Sequence, residues 1–170
     1  MKQAFSTLIL AAGKGTRMKS DLPKVLHRAC GRSLLEHAIL AAQGAGARRH
    51  VVVVGHGGDL VVEELKQKGI AFESAWQREQ KGTGHAARQA VDLLDDGEDV
   101  LILNGDGPLL QADSLQKFHE HHQKTKSAIS LGVMELENPF GYGRVVLKKK
   151  QLQKIVEEKE ATEKEKKISL

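Results

Sequence analysis

The sequence predicts an α/β fold in which helices flank a mostly parallel β-sheet. Two observations support this prediction. Apolar runs alternate with segments of helical periodicity along the chain. The first three runs are almost continuously apolar, as in strands that are covered on both faces. Strands and helices in this rhythm are typical of parallel sheets whose strands are connected by helices.

Four apolar runs are expected to be strands, namely STLILAA at 6–12, HVVVVGH at 50–56, DVLILNGD at 99–106 and SAISLGVMEL at 127–136. The first helix is expected after Ser33, an N-cap residue with Glu36 three positions later. Its apolar residues recur at helical spacing, at Leu34, Leu35, Ala38, Ile39 and Ala42. Further helices are expected at 59–68, 83–94 and 113–124. The end of the chain is expected to form a strand at 152–157, followed by a charged helical segment.

The composition argues against nucleic-acid and membrane partners. The net charge of +4 is concentrated in 148–170, where eight lysines and five glutamates leave only about +1 for the other 147 residues. No run approaches the ~20 apolar residues of a membrane span. The single cysteine, Cys30, excludes an internal disulfide and suits a reducing compartment. We therefore expect one cytoplasmic domain, with Cys30 as a buried residue of the core.

The stretch LAAGKGTRM, from Leu10 to Met18, follows the first expected strand. It is either an ordinary glycine turn or a loop that binds phosphate. It lacks the pattern of a Walker A loop, and Met18 stands where a dinucleotide fingerprint needs its third glycine. Gly13 and Gly15 would let backbone N–H groups approach an anion, and Lys14, Arg17 and Lys24 add positive charge.

A second candidate feature is GDGPL, in which Asp106 follows a buried strand. Asp106 could cap the next helix, or it could hold Mg²⁺, which takes one or two carboxylates together with substrate phosphates. Because a cationic loop is expected at the same sheet edge, we favour the metal. The histidines of HEHH, at 119–122, are expected to form a solvated helix face rather than a metal site.

The segment LILAAGKGTRMKSDLPKVLH, at 8–27, resembles the signature of sugar-nucleotide pyrophosphorylases. The segment QREQKGTGHAARQA, at 77–90, is similar to that of one subfamily, the N-acetylglucosamine-1-phosphate uridyltransferases, which in bacteria form the N-terminal domain of bifunctional GlmU proteins. Three further segments follow in the family's order: NGDGPLL at 104–110, NPFGYGRVV at 138–146 and IVEEKEAT at 155–162. The resemblance implies a Rossmann-like nucleotidyltransferase fold of GT-A type over 1–170.

The implied reaction joins UTP and N-acetylglucosamine 1-phosphate into UDP-N-acetylglucosamine and pyrophosphate, with Mg²⁺ as cofactor. By position, the resemblance assigns the uridine to the backbone of Leu10, Ala11, Ala12 and Gly13. It assigns the uracil to Gln77, Gly82 and Thr83, and the sugar to Gly143 and Glu157. Catalytic roles fall to Arg17, which with Gly15 holds the pyrophosphate, to Lys24, which bridges the phosphates, and to Asp106, which binds Mg²⁺.

The chain departs from the family at two internal positions and at its end. Gly107 stands where valine is usual, and Asn104 where tyrosine is usual. The family's distal sugar-contacting and metal-ligating asparagines and its acetyltransferase repeats have no counterpart, so the fold is expected to be incomplete at its C-terminus. We expect nucleotide binding with poor turnover, and a homo-oligomer only in a full-length protein. Two alternatives stay open, namely a non-catalytic nucleotide-binding domain and a related nucleotidyltransferase, such as a molybdopterin guanylyltransferase or an isoprenoid-pathway cytidylyltransferase.

Overall fold

The computed structural model describes residues 4–15, 18–149 and 151–170. The chain divides into a first unit, Met1–Thr125, and a second unit, Lys126–Leu170. No helix in these described ranges is long and apolar enough to cross a membrane. The assignment of 1–170 to one nucleotidyltransferase domain stays a prediction.

The first unit is built on a four-stranded parallel sheet. Its strands are β1 (Phe5–Ala11), β4 (Ala47–Val54), β5 (Glu73–Trp76) and β6 (Asp99–Asn104), in the order β5-β4-β1-β6. Every pair in this sheet is parallel. A short antiparallel pair, β2 (Arg28–Ala29) and β3 (Arg32–Ser33), lies between the first two of these strands along the chain. The predicted α/β fold with its parallel sheet is confirmed.

Four helices of the first unit are α1 (Leu34–Gly44), α2 (Gly58–Gln67), α3 (Thr83–Arg88) and α4 (Ala112–Thr125). Ser33 caps α1 as predicted, because its Oγ accepts a hydrogen bond from the Glu36 N–H at 3.3 Å. The predicted helix at 83–94 is too long. After Arg88 the backbone forms tighter i→i−3 hydrogen bonds and a single 3₁₀ turn at Val91–Leu93, since Val91 and Asp92 are poor helix formers.

The core explains why the first three strands read as continuous apolar runs. Side chains alternate across each strand, and both faces of the sheet are covered. One face packs Ile9 and Val52 against Leu35 and Ile39 of α1. The other face carries a second cluster from β1, β4, β5 and α3, formed by Leu8, Val51, Val53, Ala75 and Ala86. A polar residue at any of these strand positions would therefore enter one core or the other.

The second unit contains an antiparallel hairpin of β7 (Arg144–Lys148) and β8 (Gln151–Val156). This confirms the strand expected near 152–157. The strand predicted at 127–136 is wrong, since that run is irregular in the structure. Its large apolar side chains include Ile129 and Met134, which are 78% and 66% exposed. A strand is stable only as part of a hydrogen-bonded ladder, and 127–136 joins none of the sheets formed by the described residues.

The helix predicted after 157 is also wrong. Among the described residues of this tail, helical structure is limited to a 3₁₀ turn at Glu165–Lys167. Thr162 interrupts any longer helix because it forms a capping box with Glu165. The Thr162 Oγ1 accepts from the Glu165 N–H at 3.3 Å, and the Glu165 carboxylate accepts from the Thr162 N–H at 2.9 Å. The chain therefore starts a new turn at Thr162.

Two predictions about single residues are corrected. Cys30 is exposed rather than buried, because it occupies the tight turn between β2 and β3 with φ of +49°. His119 is only 9% exposed, and its Nε2 lies 2.9 Å from Asp99 Oδ2, with His122 Nε2 3.7 Å from the other carboxylate oxygen. These two histidines attach α4 to the start of β6, so this part of HEHH does not form a solvated face.

Leu35→Ala should destabilise the chain by about 2–5 kcal/mol, because Leu35 is fully buried in α1 and truncation leaves a cavity. Leu40→Ala in the same helix is the matched control. Leu40 is 37% exposed, so its truncation should cost at most about 1 kcal/mol. Urea denaturation followed by circular dichroism measures both. Equal losses for the two variants would contradict the described packing of α1.

The pKa of the Glu165 carboxyl is lowered to about 2, first by its hydrogen bond with Lys154 and then by those from Thr162. A lowered carboxyl pKa contributes stability above its ordinary value, and that contribution is lost as the pH falls towards 2. NMR titration of the Glu165 side chain should give a midpoint near 2 in the wild type and a higher midpoint in Lys154→Met. A wild-type midpoint near the ordinary value of 4.5 would contradict these contacts.

Candidate functional site

A pocket of about 590 Å³ lies at the carboxyl-end edge of the parallel sheet. It is lined by the loop after β1, by the residues after β5 and β6, and by the start of α3. The lining residues are Leu10, Ala11, Ala12, Gly13, Gly15, Met18, Lys24, Val25, Gln77, Gln80, Gly82, Thr83, Ala86, Asn104 and Asp106. Ligands of open α/β sheets bind at this edge, so the pocket is the candidate functional site.

Strand register accounts for the meeting of these distant segments. Leu10 lies beside Asn104 of β6, and Ala11 lies beside Val54 of β4. Val54 in turn lies beside Trp76, the last residue of β5. Because the strands are parallel and end at one level, the loops that follow them start side by side.

The position of Lys24 depends on Gly15. Gly15 has φ of +59°, a conformation that residues with a Cβ rarely adopt. A Cβ at Gly15 would also lie 2.8 Å from the Cβ of Lys24. Lys24 begins a 3₁₀ turn, Lys24–Leu26, which is anchored by the buried Val25 and Leu26. The loop and the lysine therefore fit closely, and a side chain at Gly15 would displace one of them.

Lys24 and Asp106 form an ion pair inside the pocket, Nζ to Oδ2. Their side chains are 39% and 32% exposed, so solvent screens the pair and it adds little to stability. The pair nevertheless places one ammonium group and one carboxylate in direct contact inside the pocket. Such a pair can exchange partners with a ligand that brings both negative charge and a divalent cation.

The donor set around Asp106 fits magnesium only in combination with a ligand. Within the described residues, no group of three or more histidine, cysteine, aspartate or glutamate side chains could hold a metal. Asp106 is the single carboxylate that lines the pocket in that part of the chain. Mg²⁺ commonly takes one or two carboxylate oxygens and completes its shell with phosphates and water. Asp106 therefore suits an ion that arrives with phosphate groups.

Gln77 forms the wall of the pocket next to α3. It is only 3% exposed, and its backbone N–H donates to Val54 O at 2.8 Å. Its side-chain Nε2 lies 3.0 Å from Gly82 O and 3.0 Å from His85 Nδ1. Gly82, with φ of +89°, is the N-cap of α3, and its carbonyl also accepts from the Ala86 N–H at 3.1 Å. Gln77 is thus fixed by a turn that only glycine adopts easily.

The structure brings ten of the predicted site residues into this pocket, namely Leu10, Ala11, Ala12, Gly13, Gly15, Lys24, Gln77, Gly82, Thr83 and Asp106. Arg17 lies outside the described residues. Gly143 and Glu157 belong to the second unit, where a Cβ built on Gly143 would lie 3.9 Å from Glu157 Oε1. The binding and catalytic roles given to all thirteen residues stay predictions.

Two polar residues of the pocket were not predicted as site residues. Gln80 Nε2 donates to Ala12 O at 2.7 Å and so holds the loop after β1. Asn104 is the last residue of β6 and lines the pocket beside Asp106. A signal for both was available, because Gln80 lies in the QREQ segment and Asn104 directly precedes the Gly-Asp pair.

Comparison with known proteins places these features in a family. The family model described as a MobA-like NTP transferase domain matches residues 7–168. A nucleotidyl transferase from Methanothermobacter is similar at 25% identity and a TM-score of 0.61, over 71% of this chain and 58% of that chain. This chain thus spans somewhat more than half the length of that relative.

Two further solved structures share the fold over most of this chain. HddC from Yersinia pseudotuberculosis, in a complex with GMP-PN, is 22% identical with a TM-score of 0.73, over 90% of this chain and 69% of that chain. A UDP-glucose pyrophosphorylase complexed with UDP-glucose is 20% identical with a TM-score of 0.75, over 99% of this chain and 73% of that chain. At these identities the likeness shows the fold alone.

Gly15→Ala should lower the stability of the ligand-free chain by about 2 kcal/mol, since a Cβ is strained at positive φ and would meet Lys24. Gly13→Ala is the control, because a Cβ there meets nothing within 4 Å and φ is not positive. Urea denaturation of both variants tests this. A Gly15→Ala chain as stable as Gly13→Ala would show that the loop does not pack on Lys24 as described.

Proposed function

The chain belongs to the family of MobA-like NTP transferase domains, and we propose that it is a uridylyltransferase of sugar-nucleotide synthesis. It would transfer the uridylyl group of UTP to N-acetylglucosamine 1-phosphate, forming UDP-N-acetylglucosamine and pyrophosphate. The more specific proposal rests on the sequence resemblance to N-acetylglucosamine-1-phosphate uridyltransferases. The pocket geometry supports the nucleotidyl-transfer chemistry.

One observation carries the proposal: Lys24 and Asp106 form an ion pair in the same pocket as the glycine loop and Gln77. A site for a nucleoside triphosphate needs positive charge for the phosphates, a ligand for the divalent cation and a surface that contacts the base. Gly13 and Gly15 give access to backbone N–H groups, and Lys24 supplies positive charge. Gln77 supplies a nearly buried amide at the far wall, beyond the phosphate region.

In the proposed reaction, a phosphate oxygen of the sugar 1-phosphate attacks the α-phosphorus of UTP. The bond from the α-phosphorus to the bridging oxygen breaks, and pyrophosphate leaves with its electrons. Catalysis of this kind consists mainly of positioning and of charge stabilisation. The Lys24 ammonium would neutralise negative charge on the phosphates. Mg²⁺, when bound with Asp106, would lower the charge repulsion between the two phosphate-bearing substrates.

We further propose that Gly143 and Glu157 contact the sugar and that Arg17 holds pyrophosphate. In the second unit, Gly143 is fixed by its neighbour Arg144, which is 1% exposed. The Arg144 guanidinium donates to Glu158 Oε2 at 2.7 Å and also to the carbonyl oxygens of Tyr142 and Lys166. The hydrogen bond with Arg144 lowers the pKa of the Glu158 carboxyl.

Other nucleotide and sugar pairs are compatible with the family. HddC has been solved with GMP-PN, and the pyrophosphorylase with UDP-glucose. Release of pyrophosphate should therefore be measured for UTP, CTP, GTP and dTTP, each with N-acetylglucosamine 1-phosphate and with glucose 1-phosphate, in the presence of Mg²⁺. The proposal expects UTP with N-acetylglucosamine 1-phosphate to be the best pair. Preference for another pair would reassign the substrates, and UTP binding with no product from any pair would favour a non-catalytic nucleotide-binding domain.

Lys24→Ala and Asp106→Asn should each reduce the rate of pyrophosphate release at least tenfold in a chain that turns over. Each removes a charge that the proposal places against the phosphates. Lys68→Ala and Asp113→Asn are matched controls, because neither residue lines the pocket, and both should keep rates within about twofold of the wild type. Wild-type rates in both Lys24→Ala and Asp106→Asn would exclude the proposed roles.

A further inference from the structure

We propose that His85 is a positioning residue for recognition of the nucleobase. Its Nδ1 atom holds the side-chain amide of Gln77 so that Gln77 Oε1, a hydrogen-bond acceptor, is the atom offered to the ligand. The inference rests on the proposed function, since it assumes that the pocket binds a nucleotide. Beyond that function, it assigns to His85 the orientation of the amide that contacts one edge of the base.

The orientation of the Gln77 amide follows from Gly82. The Gly82 carbonyl oxygen can only accept, so the amide atom 3.0 Å from it must be the nitrogen, Nε2. With the amide reversed, two carbonyl oxygens would face each other at that distance. Among the described residues, no hydrogen bond is made to Gln77 Oε1, and Gln77 lines the pocket. Oε1 is therefore the part of this nearly buried amide that a ligand can use.

His85 accepts a second hydrogen bond from the same nitrogen. Its Nδ1 lies 3.0 Å from Gln77 Nε2, and a nitrogen that already donates requires an acceptor there. His85 Nδ1 is then the acceptor in this contact, and the ring hydrogen belongs on Nε2. The competing contact, from Gln89 Nε2 to His85 Nε2, is 3.4 Å long and exposed. The shorter and more buried contact with Gln77 decides the tautomer.

Two hydrogen bonds from Nε2 restrict the orientation of the Gln77 amide more than one hydrogen bond can. With Gly82 alone, the amide can rotate about the remaining hydrogen bond and move Oε1 away from a base. With His85 as well, the plane of the amide is fixed, so a ligand meets an acceptor in a set direction. Such preorganisation increases discrimination between ligands that do and do not carry a donor.

An acceptor at this wall selects bases with an N–H donor on the edge that faces it. Uracil carries such a donor at N3, whereas a uracil methylated at N3 does not. The methylated base would leave Gln77 Oε1 buried without a partner, which costs binding energy. The ratio of affinities for UTP and N3-methyl-UTP therefore reports the placement of Oε1, independently of contacts to the phosphates.

The experiment measures the dissociation constants of UTP and N3-methyl-UTP by calorimetry with Mg²⁺ and no sugar phosphate, for the wild type and for variants of His85. The wild type should bind UTP at least tenfold more tightly than the methylated analogue. His85→Leu removes the acceptor, and its ratio should fall below about threefold. His85→Asn places an oxygen where Nδ1 lies, and its ratio should return to within about twofold of the wild type.

A second comparison separates this role from a general structural one. His85→Gln carries its amide at the position of Nε2 rather than Nδ1, so its ratio should stay low although it is as polar as His85→Asn. The difference between His85→Asn and His85→Gln therefore tests the role of Nδ1 even where His85→Leu lowers the melting temperature. Gln89→Ala removes the exposed contacts of Gln89 to the His85 ring and to the His85 carbonyl oxygen, leaves the contact with Gln77, and should keep the wild-type ratio.

The outcomes distinguish the inference from the proposed function. A wild type that binds neither nucleotide contradicts the proposed function itself. A wild type with the expected ratio, together with an unchanged ratio in His85→Leu and His85→Gln, overturns the inference and leaves the function standing. The inference is equally overturned by a wild type that binds both nucleotides alike, or by a Gln89→Ala ratio as low as that of His85→Leu.

Discussion

The central position of β1 is the constraint on which the rest of the first unit depends. This strand pairs in parallel with β4 on one side and with β6 on the other. Its backbone groups are therefore committed along their length, and both of its faces lie in a core. Leu8 and Ile9 fill these two cores, so the groups that line the pocket come from the carboxyl ends of the strands and from the segments that follow them. The glycine loop is the first of these segments.

The shape of the pocket depends on this strand and on two contacts between the segments that surround it. Gly15 lets the loop after β1 lie against Lys24, and the Lys24 side chain in turn meets Asp106 after β6. On the opposite wall, Gln80 donates to Ala12 O and ties the same loop to the segment after β5. The described residues of this loop, Ala12 and Gly15, are thus contacted by two other parts of the chain.

Where local signals agree with tertiary packing, the sequence predicted the fold well. The α1 helix has both an N-cap and a regular apolar face, and the structure shows each of them. The run at 127–136 has strand-like composition but forms no strand in the structure, because composition alone does not supply the neighbouring strand that a ladder requires. His119 illustrates the same limit. Its burial depends on Asp99, a residue 20 positions away along the chain, and no local pattern links the two residues.

Some residues of the candidate site could likewise be predicted from the sequence, and others could not. Gly15 and Asp106 could be predicted because they lie in the segments that follow β1 and β6, where parallel sheets place ligands, and Lys24 adds positive charge later in the first of these segments. The role that we propose for His85 could not be predicted. It depends on which nitrogen of a ring faces which atom of an amide, and that requires hydrogen-bond geometry across a turn.

The central claim is that one nucleoside triphosphate occupies the pocket, with its phosphates at the glycine loop and Lys24 and its base at Gln77. A ¹⁵N NMR titration of the 18.6 kDa chain with UTP and Mg²⁺ tests it most directly. We expect saturable shifts of the backbone amides of Gly13, Gly15, Lys24, Gly82 and Asp106. Saturable shifts confined to residues outside the pocket, with these five amides unchanged, would contradict it.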